Sequence, residues 1–411
     1  MITHEMYHVA IEANDAVLPL SENDVLLNFL PFTHIFERAW SYLGLCEGAE
    51  LAVNLVPQDV LQSMREVHPT CMSAVPRFWE KVYHGVLEKL EHSSFLERRL
   101  IKDALEVGKR YSRPKAAGSR VPMGLALSYN LYEKTVIRLL RRTLGLERAN
   151  FFPTAGAAVS PVVEEFVHAT GIRMVVGYGL TESTATVSCD IIGMPYTIGS
   201  VGRVISGLEL RIGDNEEILL RGRTITPGYY KKESITKHAI DADGWFHTGD
   251  AGYLKNGELF LKERIKDLFK TSNGKYIAPQ MIETKLVVDR LFEQALVVAD
   301  QRKFVSASSC PTISCLRSMP TCAAYTAKHA PNSAPTPPYM TSLKPASTPS
   351  SRIWPTMSAS SALSFCPNRS ALKTAELTNN PQGKARRHLP ALCRPDTETL
   401  RRCRTRRRAH V

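Results

Sequence analysis

In the run GYGLTESTATVS, Gly177 to Ser188, a glycine-flanked tyrosine precedes a threonine and a glutamate set side by side. A hydroxyl next to a carboxylate can hold a phosphate oxygen and the Mg2+ that neutralises it, because hard cations prefer oxygen ligands. Read alone, the run fits a polar turn equally well. Three other stretches carry comparable residues. In NFFPTAGAAVSP, Asn150 to Pro161, the small residues Gly156, Ala157 and Ala158 follow an aromatic pair and would let a flat ring or chain lie against the backbone. A tight loop packed on a helix explains the same pattern. In GWFHTGDAGY, Gly244 to Tyr253, Asp250 offers one carboxylate that could accept two hydrogen bonds from a ribose diol, or serve as a β-turn aspartate. ERIKDLFKTSNGKYIAPQMIE, Glu263 to Glu283, alternates charged and apolar residues and turns at Asn273 and Gly274, the pattern of a hairpin.

These residues need elements to hold them. The apolar, β-branched GIRMVV run before Gly177 predicts a buried strand, so the polar residues emerge at a strand end, where open α/β sheets bind ligands. Val82, Val86 and Leu90, and then Leu96 and Leu100, recur at helical spacing and predict helix from about Phe78 to Arg110. A second helix is expected from Tyr132 to Leu144, stopping at Gly145. Strands are expected at Leu51 to Val56, Leu208 to Ile212, Glu217 to Gly222, Glu258 to Lys262 and Ala295 to Ala299. The order predicts a mainly parallel layered α/β domain followed by a smaller β-rich region. No internal repeat is present.

The 411 residues suffice for two or more domains, and no run approaches the length of a membrane span. The nine cysteines are scattered without paired spacing, which indicates neither a disulfide framework nor a zinc site. The net charge of +12 is strongly localised: from Ala307 to Val411 there are 16 Lys and Arg against 3 Asp and Glu, so the preceding body is nearly neutral. The same tail holds 13 of 25 prolines but one of 24 glycines, lacks hydrophobic periodicity, and is expected to be disordered.

Taken in order, YGLTES, GWFHTGD and ERIKDL resemble the signatures of the adenylate-forming superfamily of acyl-CoA synthetases, adenylation domains and luciferases. LPFTHIFERAW (Leu30 to Trp40), SAVPRFWEKVY (Ser73 to Tyr83) and KTSNGKYIAPQMIE (Lys270 to Glu283) are similar to its long-chain fatty acid–CoA ligase branch. The resemblance covers about residues 1 to 305. It implies ATP attack by a carboxylate to give acyl-adenylate and pyrophosphate, then transfer to CoA, with Mg2+ assisting. Carried onto this chain, Thr181 would contact phosphate and Glu182 would coordinate Mg2+. Tyr178 with Gly156, Ala157 and Ala158 would frame the adenine, Gly177 and Gly179 would belong to the same nucleotide-binding set, and Asp250 and Arg264 would hold the ribose. Lys266 would mark the hinge, and His34 would stand on the acyl and phosphate path or serve as a buried structural histidine.

The resemblance also sets expectations of what is missing. Family members carry a phosphate loop ending in Pro-Lys-Gly just upstream of the segment similar to MITHEMYH; the sequence given starts at Met1, after that point. GKRY at Gly108, GKYI at Gly274 and GKAR at Gly383 lack the glycine-rich lead-in. Past VVADQRKF, Val297 to Phe304, members continue with strands, helices and a late lysine, whereas here the tail begins, as after a reading-frame change near Ser306. The expected organisation is a partial adenylation domain over 1–262, a hinge and the start of a small C-terminal domain over 263–306, and a low-complexity tail over 307–411. The expected function is long-chain fatty acid–CoA ligation, with little or no synthesis by this chain. The alternatives are a different carboxylic acid, or a non-catalytic remnant with weak AMP binding. ATP, fatty acid and CoA are the expected partners, with no specific nucleic acid, in the cytoplasm or in peripheral contact with a membrane.

Overall fold

The computed structural model describes residues 1–270, 276–289, 291–298, 305–311 and 363–365. Met1–Leu268 and Gln280–Val288 form one compact unit; Phe269–Pro279 and Asp289–Val411 form the second.

In the first unit, α1 (His4–Asp15) starts at Thr3, whose hydroxyl accepts the Met6 amide. The wholly buried β1 (Val25–Asn28) leads through α2 (Ile35–Cys46) to β2 (Glu50–Val53), its parallel partner. Parallel neighbours require such a crossover. Four helical stretches follow: α3 (Val60–Val67), α4 (Pro76–His92), α5 (Phe95–Ala116) and α6 (Met123–Tyr132). The helix expected over Phe78 to Arg110 is therefore two. Ser94 and Glu97 bond reciprocally in a capping box, which satisfies amides that a continuous helix would have used and starts α5 afresh. After a π-helical turn at Glu133–Ile137, α7 (Arg138–Leu144) ends as expected at Gly145, which has φ +75. A Cβ there would lie 2.2 Å from the Met64 carbonyl oxygen, so the chain needs glycine.

Next, β3 (Phe151–Thr154), α8 (Pro161–Ala169) and β4 (Arg173–Tyr178) make a second parallel crossover, with Thr154 opposite Val176. Cys71 bridges in parallel to both Leu26 and Phe151, so the run 71–74 links β1 to β3. Two short strands, β5 (Ser188–Cys189) and β6 (Arg203–Val204), extend β4 on its other side in antiparallel fashion. Leu27, Met72, Phe152 and Met174 from this layer pack with Trp79, Val82 and Val86 of α4 and Phe166 of α8. Burial of each such side chain contributes about 1.5–3 kcal/mol. Trp79 is fully buried, and its indole N–H donates to Thr154 Oγ1 at 3.0 Å, pinning α4 to the end of β3.

The β-rich region consists of β7 (Leu208–Ile212), β8 (Glu217–Gly222), β9 (Phe246–Lys255) and β10 (Glu258–Arg264), with the short α9 (Glu233–Ala239) between the second and third. They form an antiparallel sheet in the order β10-β9-β8-β7. Ile218, Leu220, Phe246 and Leu259 join the same core cluster as Trp79 and Phe152, so sheet and layer share one interior.

In the second unit, β11 (Phe269–Lys270) pairs antiparallel with β12 (Tyr276–Ile277), as the hairpin pattern predicts; its turn at Asn273 and Gly274 lies outside the described residues. Beyond them, β13 (Phe292–Val298) pairs with β14 (Ser306–Pro311), which also pairs in parallel with β15 (Leu363–Phe365). Strand structure thus continues through Ser306 and covers 307–311, the first residues of the expected disordered tail. A ladder needs backbone donors and acceptors, which polar Ser-rich sequence supplies as well as apolar sequence does. The rest of that tail, apart from 363–365, lies outside the described residues.

Candidate nucleotide site

Tyr178 ends β4, and Asp250 lies inside β9 opposite Arg264 of β10. The pairing brings all three together. Tyr178 donates its phenol proton to Asp250 Oδ2 at 2.7 Å, and Arg264 Nε donates to Oδ1 at 3.2 Å. Burial, then the neighbouring Asp250 charge, raises the Tyr178 phenol well above its ordinary value, so it remains a donor. The turn behind the carboxylate is also fixed: Glu217 of β8 accepts from the Gly249 amide at 2.9 Å and contacts His247 Nδ1 at 3.0 Å. Thr248 Oγ1 meanwhile accepts the Asp250 amide at 3.1 Å.

Beyond Tyr178 the chain turns sharply. Thr181–Ser183 is a single 3-10 turn, followed by Thr184 and Ala185 at φ +57 and +78. Those left-handed conformations are held by Ser183 Oγ, which accepts the Leu180 amide at 3.0 Å, and by Thr184 Oγ1, which donates to the Thr224 carbonyl at 2.8 Å. The turn folds back so tightly that a Cβ on Gly179 would lie 1.3 Å from the Ala185 carbonyl oxygen. Thr181 is exposed and Glu182 half-buried. Tyr229 donates to Glu182 Oε1 at 2.9 Å, and burial, then Glu182 itself, raises its phenol to about 12.

Gly156, Ala157 and Ala158 are exposed just past the carboxyl end of β3, next to the end of β4. Gly156 has φ +90. Gly177 pairs with Cys189 at the β4–β5 edge. His34 forms the N-cap of α2 beyond the end of β1; it is exposed, which removes the reading as a buried structural histidine. Lys266 is exposed in a 3-10 turn, Ile265–Asp267. The structure thus joins Tyr178, Asp250 and Arg264 by direct bonds and gathers Gly156 to Ala158 and Thr181 to Glu182 at neighbouring strand ends. His34 stands at the end of a different strand, and Lys266 lies two residues beyond Arg264. Sequence reasoning missed Tyr229 and Glu217. A Pro-Gly turn before an aromatic pair, at Pro227 to Tyr230, was the available signal for the first.

Residues 1–230 match the family model described as AMP-binding enzyme. The chain belongs to that family. Among the chain's relatives is a long-chain-fatty-acid–CoA ligase of Rattus norvegicus, 30% identical over 69% of this chain and 40% of its own length. A peroxisomal long-chain acyl-CoA synthetase of Arabidopsis thaliana is 30% identical over 73% and 44%. A long-chain-fatty-acid–CoA ligase of Mycobacterium bovis is 31% identical over 70% and 47%. The chain therefore spans less than half the length of these relatives. O-succinylbenzoate coenzyme A synthetase from Bacillus subtilis, in complex with AMP, has a similar fold, with a TM-score of 0.54, 20% identity and coverage of 76% of this chain and 56% of that one. The same enzyme is also known with ATP and magnesium ion.

The residues present in this chain suit a nucleotide. An ionised carboxylate has about four lone-pair positions. Tyr178 and Arg264 occupy one on each oxygen of Asp250, which leaves acceptors for a ribose diol. Among the described residues no three His, Cys, Asp or Glu gather as a metal cage. Glu182 supplies a single carboxylate, the pattern by which Mg2+ is bound jointly with substrate phosphates.

Proposed function

We propose that this chain carries the adenylate-binding part of a long-chain fatty acid–CoA ligase, which joins an acid to CoA through an acyl-adenylate, releasing pyrophosphate and then AMP. The observation that carries the reading is the Tyr178–Asp250–Arg264 group: a buried carboxylate inside β9, held on one oxygen by Tyr178 from the end of β4 and on the other by Arg264 of β10. Asp250 would orient the ribose, and Gly156 to Ala158 would admit the adenine face. Glu182 would hold Mg2+, with Tyr229 fixing its rotamer, and Thr181 would donate to a phosphate oxygen. Mg2+ supplies charge neutralisation on the phosphates. The protein's share is placement and fixed dipoles, which is most of what phosphoryl and adenylyl transfer ask of it. The long-chain acid is supported by the similarity to the rat, plant and mycobacterial ligases. Contact with lipid-borne acid would be peripheral, from the cytoplasm; among the described residues no helix is long and apolar enough to cross a membrane.

Calorimetric titration with AMP tests the site. The wild-type chain binds and Asp250→Ala weakens binding at least about tenfold, the scale of losing hydrogen bonds to a charged group. Equal affinity in the two proteins overturns the reading. Titration with nonhydrolysable adenylate analogues bearing palmitoyl and acetyl chains tests the acid, the longer chain binding more tightly.

A further inference from the structure

Glu37 is fully buried in the first turn of α2, three residues after His34. Its carboxylate accepts a short hydrogen bond from the Ser73 hydroxyl. Ser73, itself fully buried, belongs to the run 71–74 that links β1 to β3. The adjacent Ala74 accepts the Ala155 amide at 3.2 Å and donates its own amide to the Pro153 carbonyl at 2.8 Å. Ala155 immediately precedes Gly156. On its other side, the helix that carries Glu37 follows the loop leaving β1. The Ser41 hydroxyl donates to the Glu37 carbonyl at 2.7 Å and accepts from Asn28 Nδ2 at 2.6 Å, which fastens α2 to the last residue of β1. The His34 amide donates to the Pro31 carbonyl at 2.9 Å, and Arg38 Nε donates to the Phe32 carbonyl at 3.0 Å, so the intervening loop is tied to the same helix. Unbroken bonded contact therefore runs from the His34 loop through Glu37 and Ser73 to the small-residue loop.

A buried acid is an expensive way to pack a helix against a strand, since an apolar pair of similar volume would do so without desolvating a charge. Desolvation pushes the Glu37 carboxyl up to about 7, against hydrogen bonding from Ser73 and Asn28 and the backbone at Leu30 and Phe29. A directional contact fixes relative position as apolar contact does not, because its strength depends on angle as well as distance.

We propose that Glu37 is a positioning residue that couples the His34-bearing loop to the Gly156–Ala158 loop, so that the acyl side and the nucleotide side of the site keep one geometry. This rests on the adenylate-binding reading for what the two loops do, and on the bonded path alone for their coupling.

Amide hydrogen exchange, read separately at 29–34 and 155–159, tests it on the whole chain. Ser73→Ala removes one hydroxyl and Glu37→Ala the carboxylate; both are expected to speed exchange in the two loops together by about tenfold, the scale of one lost hydrogen bond to a charged group, leaving β8 and β9 unchanged. Glu37→Gln, which still accepts from Ser73, restores slow exchange in both. AMP affinity follows the same order. Acceleration confined to 29–34, uniform acceleration across the unit, or Glu37→Gln behaving as Glu37→Ala overturns the coupling. Should Glu37→Ala not fold, Ser73→Ala decides it. A wild-type chain that fails to bind AMP removes the nucleotide reading, while the exchange pattern still decides the coupling.

Discussion

Asp250 holds two neighbours of unequal security. Its partner Arg264 has a side chain 58% exposed, so water screens that contact, whereas Tyr178 is buried. Tyr178→Phe is therefore expected to cost about 1–3 kcal/mol of unfolding free energy, because a buried carboxylate oxygen is left unsatisfied. Arg264→Gln should change stability by less than about 1 kcal/mol. Denaturant titration of the two variants ranks them, and equal losses would contradict the inequality. The same residues show how far the site was legible in the sequence. Tyr178, Glu182 and Asp250 stood out because a strand end or a glycine turn sat beside each. Tyr229 did not, for it meets Glu182 from 47 residues away and only the folded chain brings them together. His34 could be read either way because a lone histidine carries no sign of burial; its exposure follows from its place at the N-cap of α2.

At the scale of elements, periodicity located β2, β4, β7, β8, β10 and β13 and the helical stretches over α4, α5 and α7, but not β1, β3, β9, α1, α2, α6 or α8, nor where one helix yields to the next. The break between α4 and α5 is written in Ser94 and Glu97, a local hydrogen-bonding choice that apolar spacing cannot register. Ser94→Ala should lower stability by about 1 kcal/mol, measured by thermal or urea unfolding. Strand β14 was missed for the converse reason: its serines carry no hydrophobic alternation, and the ladder to β13 needs only backbone donors and acceptors to form. The turn after β4 presents the strictest demand. Gly179→Ala places a methyl carbon where the Ala185 carbonyl oxygen already is, so Thr181 and Glu182 must move. A loss of about 3 kcal/mol is expected, together with loss of AMP binding, and calorimetry on the variant checks both. A variant as stable as wild type would show that the turn is more pliant than its geometry implies.

At the scale of the molecule, three buried carboxyls among the described residues shape the dependence on pH. Desolvation raises Glu37 and Asp190 to about 7 and Glu164 to about 8, all above their ordinary values of 4.5, 3.8 and 4.5. For each, the folded chain keeps a proton that the unfolded chain releases. Their stabilisation is complete below about pH 4 and is lost as pH rises through 7 and 8. His168 opposes them. Burial lowers it from 6.5 to about 3, so its contribution is present above pH 6.5 and lost on acidification below that. Three falling contributions outweigh one rising one, and the melting temperature should drop between pH 5.5 and 8. Glu164→Gln, which can still accept from the Gly199 amide, should flatten that drop. A melting temperature constant or rising across this interval would contradict the assignment. Charge segregation was legible from composition, but this pH dependence was not, since it depends on which carboxyls folding takes out of water. The bond from Trp79 to Thr154 has an optical consequence. A dry, hydrogen-bonded indole emits at short wavelength, and this one reports on a residue two positions before Gly156. With Trp40, Trp245 and Trp354 replaced by phenylalanine, the chain would carry a single built-in fluorophore anchored beside the adenine loop, whose colour registers whether water has reached the end of that strand.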